Sequence, residues 1–252
     1  MAEQGSVRRT KYQRIATELR DAIQAGEYAP GDRLPGENEL MAAYNVARMT
    51  ARQALGVLQN EGITEARKGA GVFVRSFRPL RRHGIQRLSG GNWGSGQSIW
   101  SADLGERALV VDRVEVTERT APEHVATALG LSPTATVCVR SRRFVLDGKP
   151  VQTAVSYLPS ELVAGSAVTH EDTGPGGTYA RLAELGCKPV RFREELRSRM
   201  PSTEEATELG LSSGTPVIQI CRTAFAEGGR AVEFSELTLD SASYVLEYEF
   251  DA

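Results

Sequence analysis

The apolar residues near the amino terminus recur at the spacing of an amphipathic helix. Between Lys11 and Ala25 they fall on one helical face, and Gly26 ends the pattern. The members of this face are Tyr12, Ile15, Ala16, Leu19 and Ile23. Residues 28–35 contain two prolines and a glycine and must form a turn. We therefore predict a helix over residues 11–25 that is followed by a loop.

Two further helices are predicted before residue 61. One runs from about Glu37 to Tyr44, and the next begins after Asn45 and Val46 and runs to about Asn60. The inner face of this third helix carries Ala51, Ala54, Leu55 and Leu58. Its outer face carries Arg48, Thr50, Arg52 and Gln53. Two short helices joined by about three residues are typical of a helix-turn-helix, whose second helix enters the major groove of DNA.

The outer face of the third helix offers the groups that base edges and phosphates require. Arginine presents a bidentate fork to guanine, glutamine can pair with adenine, and a threonine hydroxyl can reach a phosphate. The segment Arg67-Lys-Gly-Ala-Gly71, between two short apolar runs, predicts a hairpin with a basic tip, the wing. Lys68 is predicted to contact phosphate without sequence preference. A single exposed arginine is more often a solvated charge, so the prediction depends on the whole motif.

The rest of the chain contains an internal repeat at an offset of 80 residues. Leu129-Gly-Leu-Ser132 returns as Leu209-Gly-Leu-Ser212, and Arg142 returns as Arg222. Each copy predicts a strand, a short helix, a turn and a hairpin. The hairpin arms are predicted at 136–146 and 150–158, and again at 216–226 and 231–239. Two such units favour an α+β domain with pseudo-twofold symmetry: one antiparallel sheet, helices on one side, and a cleft where equivalent strands meet.

Composition and charge divide the chain between these two regions. Up to Leu88 there are 15 Lys and Arg against 9 Asp and Glu, a net charge of +6, whereas the remainder has 15 against 23, or −8. Contact with a polyanion is therefore expected only in the amino-terminal part. Residues 76–98 are rich in Arg, Gly and Ser and are interpreted as a linker, either a soluble hinge or a further phosphate contact. The predicted domains are 8–75 and 99–252 on either side of it.

Several protein classes are disfavoured by what the sequence contains. Cys138, Cys187 and Cys221 are odd in number and widely spaced, so neither a disulfide framework nor a zinc site is expected. No segment approaches the roughly 18 apolar residues of a membrane span, and a secretory signal is not recognisable, so we expect a cytoplasmic protein without membrane contact. The sequence contains no recognisable nucleophile, phosphate-loop or dinucleotide motif. We therefore predict no catalytic residue, no metal and no cofactor.

The first 75 residues resemble the DNA-binding domain of the GntR family. The resemblance rests on PGDRLPGENEL, VARMTARQAL, LQNEGI and GAGVFV, which follow one another without a break. It implies that five residues approach DNA: Arg33, Arg48, Thr50, Arg52 and Gly69. Gly36 and Ala47 depart from the family, which usually has Ser or Thr there. Because neither offers a side-chain oxygen, we expect a weaker helix start and one fewer phosphate contact.

Residues from about Trp100 onward resemble the UTRA effector domain of the HutC subfamily of GntR regulators, whose fold is similar to chorismate lyase. The landmarks are RRFVLDGKPV, SYLP, GTYARLAELG and LGLSSGTPV. The resemblance implies an effector pocket lined by Arg142, Tyr179, Arg222, Glu233 and Tyr244. Each of these has a structural alternative, because strand arginines often pair with carboxylates and buried tyrosines often belong to a core. Phe144, Thr153 and Ala154 replace polar residues of members that bind sugar phosphates, so a less polar pocket is expected.

Together, these patterns predict a sequence-specific transcriptional regulator without enzymatic activity. We expect a homodimer that binds a near-palindromic operator in double-stranded DNA and releases it when a small-molecule effector binds. Three alternatives stay open: activation by the effector, a constitutive DNA-binding protein whose second half only dimerises, and an enzyme on the lyase-like fold.

Overall fold

The computed structural model describes residues 10–67, 69–75, 80–84, 88, 109–212 and 214–250. The chain divides into two compact units, with the main boundary after Arg78 and with the short segment Ser212–Thr215 grouped with the first unit. Each unit has its own hydrophobic core.

The first unit contains three helices and one antiparallel hairpin. These are α1 (Lys11–Gln24), α2 (Glu37–Tyr44), α3 (Arg48–Asn60), β1 (Thr64–Arg67) and β2 (Gly71–Val74). All three helices and the hairpin predicted from the sequence are confirmed. In the hairpin, Thr64 lies opposite Val74 and Arg67 lies opposite Gly71. The arrangement is a winged helix-turn-helix.

The turn between α2 and α3 determines which face of α3 is exposed. Asn45 ends α2 in the left-handed conformation, at φ 47°, which asparagine tolerates better than most residues. On α3, Ala51 and Ala54 are completely buried, and these small side chains let α1 and α3 pack closely. The opposite face of α3 is left to solvent.

The second unit is built on a six-stranded antiparallel sheet in the order β4-β5-β6-β9-β8-β7. Its strands are β4 (Leu109–Thr120), β5 (Thr136–Leu146), β6 (Lys149–Pro159), β7 (Arg191–Arg199), β8 (Val217–Phe225) and β9 (Ala231–Asp240). Its helices are α4 (Glu123–Leu129), α5 (Ser160–Val163), α6 (Gly177–Glu184) and α7 (Thr203–Glu208). The strand order is a palindrome in which the two repeats meet at β6 and β9. The predicted hairpins and the pseudo-twofold repeat are confirmed.

Helices cover both faces of this sheet, so the expectation of helices on one side was wrong. Successive strand residues point to opposite faces. Val137 and Val139 of β5 pack with α4, whereas Cys138 of the same strand packs with α5 and α6. Apolar residues therefore occupy both faces of the strand, and both need cover. The helices of the repeat, α4 and α7, share one face, and the segment inserted between the repeats covers the other.

Part of the predicted linker is a strand in the second unit. β3 (Leu80–His83) pairs in parallel with β10 (Tyr244–Glu247). Leu80 is buried in the core, and Arg82 is only 1% exposed, so Arg82 is neither part of a solvated hinge nor free to contact phosphate. The linker interpretation was wrong for these four residues because pairing with a distant strand and burial of Leu80 stabilise them. Most of the remaining predicted linker lies outside the described residues.

Candidate DNA-binding surface and effector cavity

Two arginines project from the exposed face of α3. The side chains of Arg48 and Arg52 are 59% and 60% exposed. Four positions apart on a helix, they lie on the same face. Gln53 is also exposed, whereas Thr50 is half-buried. Met49 was not singled out from the sequence, but at 60% exposure it can offer an apolar contact to a thymine methyl group.

An acidic residue on α2 holds both arginines. Arg52 donates from Nε to Glu37 Oε1 at 2.7 Å and from Nη2 to Oε2 at 3.2 Å. Arg48 Nε lies 3.8 Å from Glu37 Oε2, and its Nη2 donates to Asn38 Oδ1 at 3.0 Å. The hydrogen bond from Arg52 lowers the pKa of Glu37. Sequence reasoning missed Glu37 and Asn38, although acidic residues are favoured in the first turn of a helix.

Replacing Glu37 with glutamine is expected to strengthen DNA binding by about 1.5- to 5-fold, the range expected for releasing an exposed ion pair. The substitution frees Arg52 and Arg48 and removes a negative charge near the phosphates. Fluorescence anisotropy on a duplex obtained by binding-site selection measures the change. Glu61→Gln is the matched control, because it breaks the Arg20–Glu61 pair just beyond the carboxyl end of α3. Weaker binding by the Glu37 variant would show that this carboxylate positions the arginines for DNA.

Arg33 lies beside Arg48, as the predicted DNA-binding surface requires. Both arginines border a surface depression of about 420 Å³ whose floor includes Gly36. Arg33 Nη2 lies 4.0 Å from Glu39 Oε2. A Cβ on Gly71, which has φ +121°, would come 3.0 Å from Arg33 Nε, so this position needs glycine. The structure thus brings Arg33 together with the outer face of α3.

The tip of the wing is only partly described. Gly69 is exposed at φ +75°, and a Cβ there would meet open space. Its backbone conformation, rather than crowding, therefore favours glycine. Lys68, the predicted phosphate contact, lies outside the described residues.

The two departures at the helix starts have different outcomes. Neither Gly36 nor Ala47 supplies a side-chain cap. At α2, however, Glu39 Oε2 accepts a hydrogen bond of 2.6 Å from the Gly36 N–H, which keeps one of the two bonds of a capping box. The amino end of α3 therefore lacks the side-chain oxygen that α2 replaces in part.

A cavity of about 80 Å³ lies in the second unit where β6 and β9 meet, which is where the repeat predicts a cleft. Its lining consists of Arg142, Ala154, Ser156, Gly176, Gly177, Thr178, Tyr179, Arg222, Glu233, Ser235 and Leu237. Four of the five residues implied by the resemblance are therefore brought together. Ser156, Ser235 and Thr178 were missed, because single hydroxyl residues in strands and loops carry no distinctive sequence signal.

Tyr244 is the residue that the structure does not place at this cavity. It lies on β10 opposite Leu80 and packs in the core with Phe144 and Leu237. Pairing of β10 with β3 draws its ring into that core. The structural alternative for this tyrosine is the one its surroundings support.

Arg222 is neutralised by an acidic residue on the neighbouring strand. Its Nε and Nη2 lie 2.8 Å and 2.6 Å from Glu194 Oε1, and both side chains are almost completely buried. Arg222 Nη1 also donates to the Tyr179 hydroxyl at 3.4 Å. Although burial opposes the charge, Tyr179 and Glu194 more than offset it and raise the pKa of Arg222. Arg222 is therefore a permanent cation with an internal partner.

Arg142 occupies the equivalent place in the first repeat, but its charge is not paired in the same way. Glu194 lies opposite Arg222 on the adjacent strand, and Val114 lies opposite Arg142. Arg142 donates to Ser156 Oγ at 2.7 Å, and no carboxylate of the described residues lies within ion-pairing distance. Burial lowers the pKa of Arg142, and the nearby charge of Glu233 partly offsets this. The repeat thus provides one paired and one unpaired arginine.

The amino end of α6 closes the cavity opposite the sheet. Gly176 and Gly177 both have positive φ, and Thr178 follows them into the lining. Thr178 is 8% exposed, and its hydroxyl has no hydrogen-bond partner among the described residues. Burial raises the pKa of Tyr179, so its phenol stays protonated. Unpaired amides and hydroxyls at a helix start suit an anionic or hydrogen-bond-accepting group.

A wider cleft adjoins the cavity. It has a volume of about 520 Å³ and shares Arg142, Gly176 and Gly177 with the cavity. Arg140 holds one wall of this cleft in place, since it donates to the carbonyls of Val168, His170 and Glu171. Burial lowers the pKa of Arg140 to about 10. A molecule larger than the cavity could extend past Arg142 into the cleft.

Other chemistry is sparse in the part of the chain that the structure describes. Cys138, Cys187 and Cys221 are free thiols, of which Cys138 is buried. Within the described ranges, no group of His, Cys, Asp and Glu has the geometry of a metal site. Of the helices described, none combines the length and apolar character needed to cross a lipid bilayer.

Both units match known protein families. The model of the bacterial regulatory proteins of the gntR family matches residues 11–74, and the UTRA domain model matches residues 107–244. The chain is 32% identical to an HTH-type transcriptional regulator from Streptomyces coelicolor, over 95% of this chain and 92% of that protein. It is 27% identical to the HTH-type transcriptional repressor NagR from Bacillus subtilis, over 95% of this chain and 94% of that protein.

Solved structures share the fold. A GntR-family transcriptional regulator superimposes with a TM-score of 0.64 at 25% identity, covering 97% of this chain and 98% of the other. PhnF from Mycobacterium smegmatis superimposes with a TM-score of 0.57 at 24% identity, covering 94% of this chain and 99% of the other. With a winged helix-turn-helix before a UTRA domain, the chain belongs to the GntR family of bacterial transcriptional regulators, in its HutC subfamily.

Proposed function

We propose that this DNA-binding regulator is a homodimeric repressor that leaves a near-palindromic operator when a small molecule enters the cavity between β6 and β9. The observation that carries the effector part is the buried, unpaired charge of Arg142 in the cavity wall. Repression is supported by the name of the Bacillus subtilis relative, a transcriptional repressor. Twofold symmetry is supported by the usual way in which one recognition helix per subunit enters successive major grooves.

The proposed effector carries one anionic or strongly accepting group. Arg142 supplies the positive charge, and the Thr178 hydroxyl and the amides at the start of α6 supply further donors. Ala154 and Leu237 make the rest of the lining apolar. Because ligand pockets typically enclose about 300–1,000 Å³, the remainder of the molecule would occupy the adjoining cleft.

The proposed role of the cavity is binding rather than catalysis. Among the described residues that line it, none is a histidine or a cysteine, and its hydroxyls have no adjacent base. Ser156 and Ser235 hydrogen-bond to each other at 2.9 Å, which suits positioning of Arg142 rather than nucleophilic attack.

Thermal-shift screening of metabolite anions tests this proposal. A ligand at ten times its dissociation constant is expected to stabilise the protein by about 1.4 kcal/mol. The same ligand should leave the melting temperature of Arg142→Gln unchanged and still raise that of Arg113→Gln, an exposed arginine on β4 of the same unit. A hit should also release DNA in an anisotropy assay. Tighter DNA binding would make the protein an effector-activated binder, and a ligand that stabilises the Arg142 variant equally would place the site elsewhere.

A further inference from the structure

Three buried charges form a cluster at one side of the cavity, the triad Arg82, Glu194 and Arg222. Arg82 lies on β3, Glu194 on β7 and Arg222 on β8. Their side chains are 1%, 8% and 2% exposed. Because Arg222 also lines the cavity, the triad connects the cavity to β3 through a single carboxylate.

The two arginines of the triad compete for one oxygen atom. Glu194 Oε1 lies 2.8 Å and 2.6 Å from Arg222 Nε and Nη2, and 3.2 Å from Arg82 Nη2. The pKa of Arg82 falls to about 10, first because of burial and next because of the charge of Arg222. Arg222 therefore weakens the hold of Glu194 on Arg82 both by taking the shared oxygen and by repulsion.

The position of β3 in the chain gives this competition a consequence. Only residues 76–79 lie between Arg75, the last described residue of the first unit, and Leu80. Every residue of β3 that leaves its place can add about 3.3–3.6 Å to the reach of the connection. The docking of β3 thus sets the maximum length of the tether to the DNA-binding unit.

We propose that Glu194 is a positioning residue that couples occupancy of the cavity to the docking of β3. An anion that binds Arg222 from the cavity competes with Glu194, leaves that carboxylate to Arg82, and so fastens β3 to the sheet. The tether then stays short, and the distance available to the two DNA-binding heads of a dimer is restricted. This inference rests on the proposed effector role of the cavity, but its test needs no effector.

Hydrogen exchange of the full-length protein, followed by mass spectrometry at residues 80–83, tests the coupling. Glu194→Gln removes the shared carboxylate and should speed exchange there by about a hundredfold, because it leaves two buried arginines without their counter-ion. Arg222→Gln removes the competitor and should slow exchange at the same residues. Opposite signs are the signature of competition, since loss of a merely structural contact would speed exchange in both variants.

Glu247→Gln is the matched control. It breaks the exposed pairs of Glu247 with Arg81 and His83 on the same two strands, so its effect on exchange should be about fivefold or less. Faster exchange at residues 80–83 in Arg222→Gln, or no change in Glu194→Gln, would overturn the proposal. Failure of every anion to bind would count against the effector role and would leave this result readable.

The reverse experiment covers the case in which Arg222→Gln does not fold. Coupling between two sites is reciprocal. Arg82→Gln should therefore leave Glu194 to Arg222 and slow exchange in residues 217–225, the strand that carries Arg222. Faster or unchanged exchange in that strand would refute the coupling.

Discussion

Methionine in place of Arg140 is expected to lower the melting temperature by about 6–12 °C. Arg140 is 2% exposed and donates hydrogen bonds to the carbonyls of Val168, His170 and Glu171. Methionine fills much of the volume but leaves these carbonyls without their donor. A buried acceptor that loses its partner costs about 1–3 kcal/mol, and a total near 3 kcal/mol corresponds to this shift for a unit of this size.

Differential scanning calorimetry measures the effect of the Arg140 substitution. Arg113→Met is the control, because Arg113 is 56% exposed and pairs only with Glu208 across the surface. It should shift the melting temperature by no more than about 2–4 °C. An equally small shift for Arg140→Met would mean that water replaces the guanidinium at the three carbonyls.

Arg48→Ala is expected to weaken operator binding by about 1–3 kcal/mol and to flatten the preference for one base pair. Arg48 is exposed on the outer face of α3 and is held only by Glu37 and Asn38. A guanidinium there can form a bidentate pair with guanine, whereas alanine cannot. Selection from a randomised duplex pool, followed by titration of the selected and mismatched duplexes, measures both effects.

Arg20→Ala is the control for Arg48. Arg20 lies on α1 and pairs with Glu61 at 2.6 Å, away from the outer face of α3. Its loss should leave both affinity and base preference unchanged. If Arg48→Ala weakened binding equally on all duplexes, Arg48 would be a phosphate contact and not a reader of sequence.

The helices and hairpins of this protein were predictable because their signals are local. The faces of α1 and α3 follow from apolar spacing over fewer than 15 residues, and Gly26 and Asn45 mark helix ends. The repeat added a second, independent signal for β5, β6, β8 and β9. By contrast, β3 consists of four residues, two of them arginines, and depends on a strand more than 160 positions away. Sequence composition alone therefore favoured a linker there.

The candidate sites were predictable in outline but not in their pairing. Position 142 and position 222 were both identified, because they align in the repeat. The difference between them depends on Val114 and Glu194, the residues opposite each arginine on the neighbouring strands. That difference is visible when the two copies are compared at this offset, but its meaning requires the register of the sheet. The hold of Glu37 on Arg52 was likewise invisible, because it joins two helices through space.

The palindromic strand order also bears on how the cavity can distinguish the two ends of one molecule. The backbone around it is nearly the same after a half-turn, but the charges are not, since the side of Arg222 is already neutral and the side of Arg142 is positive. A ligand turned end for end would therefore meet similar shape and opposite electrostatic preference. Gene duplication supplied the symmetric frame, and one valine-to-glutamate difference between the copies is enough to give it polarity.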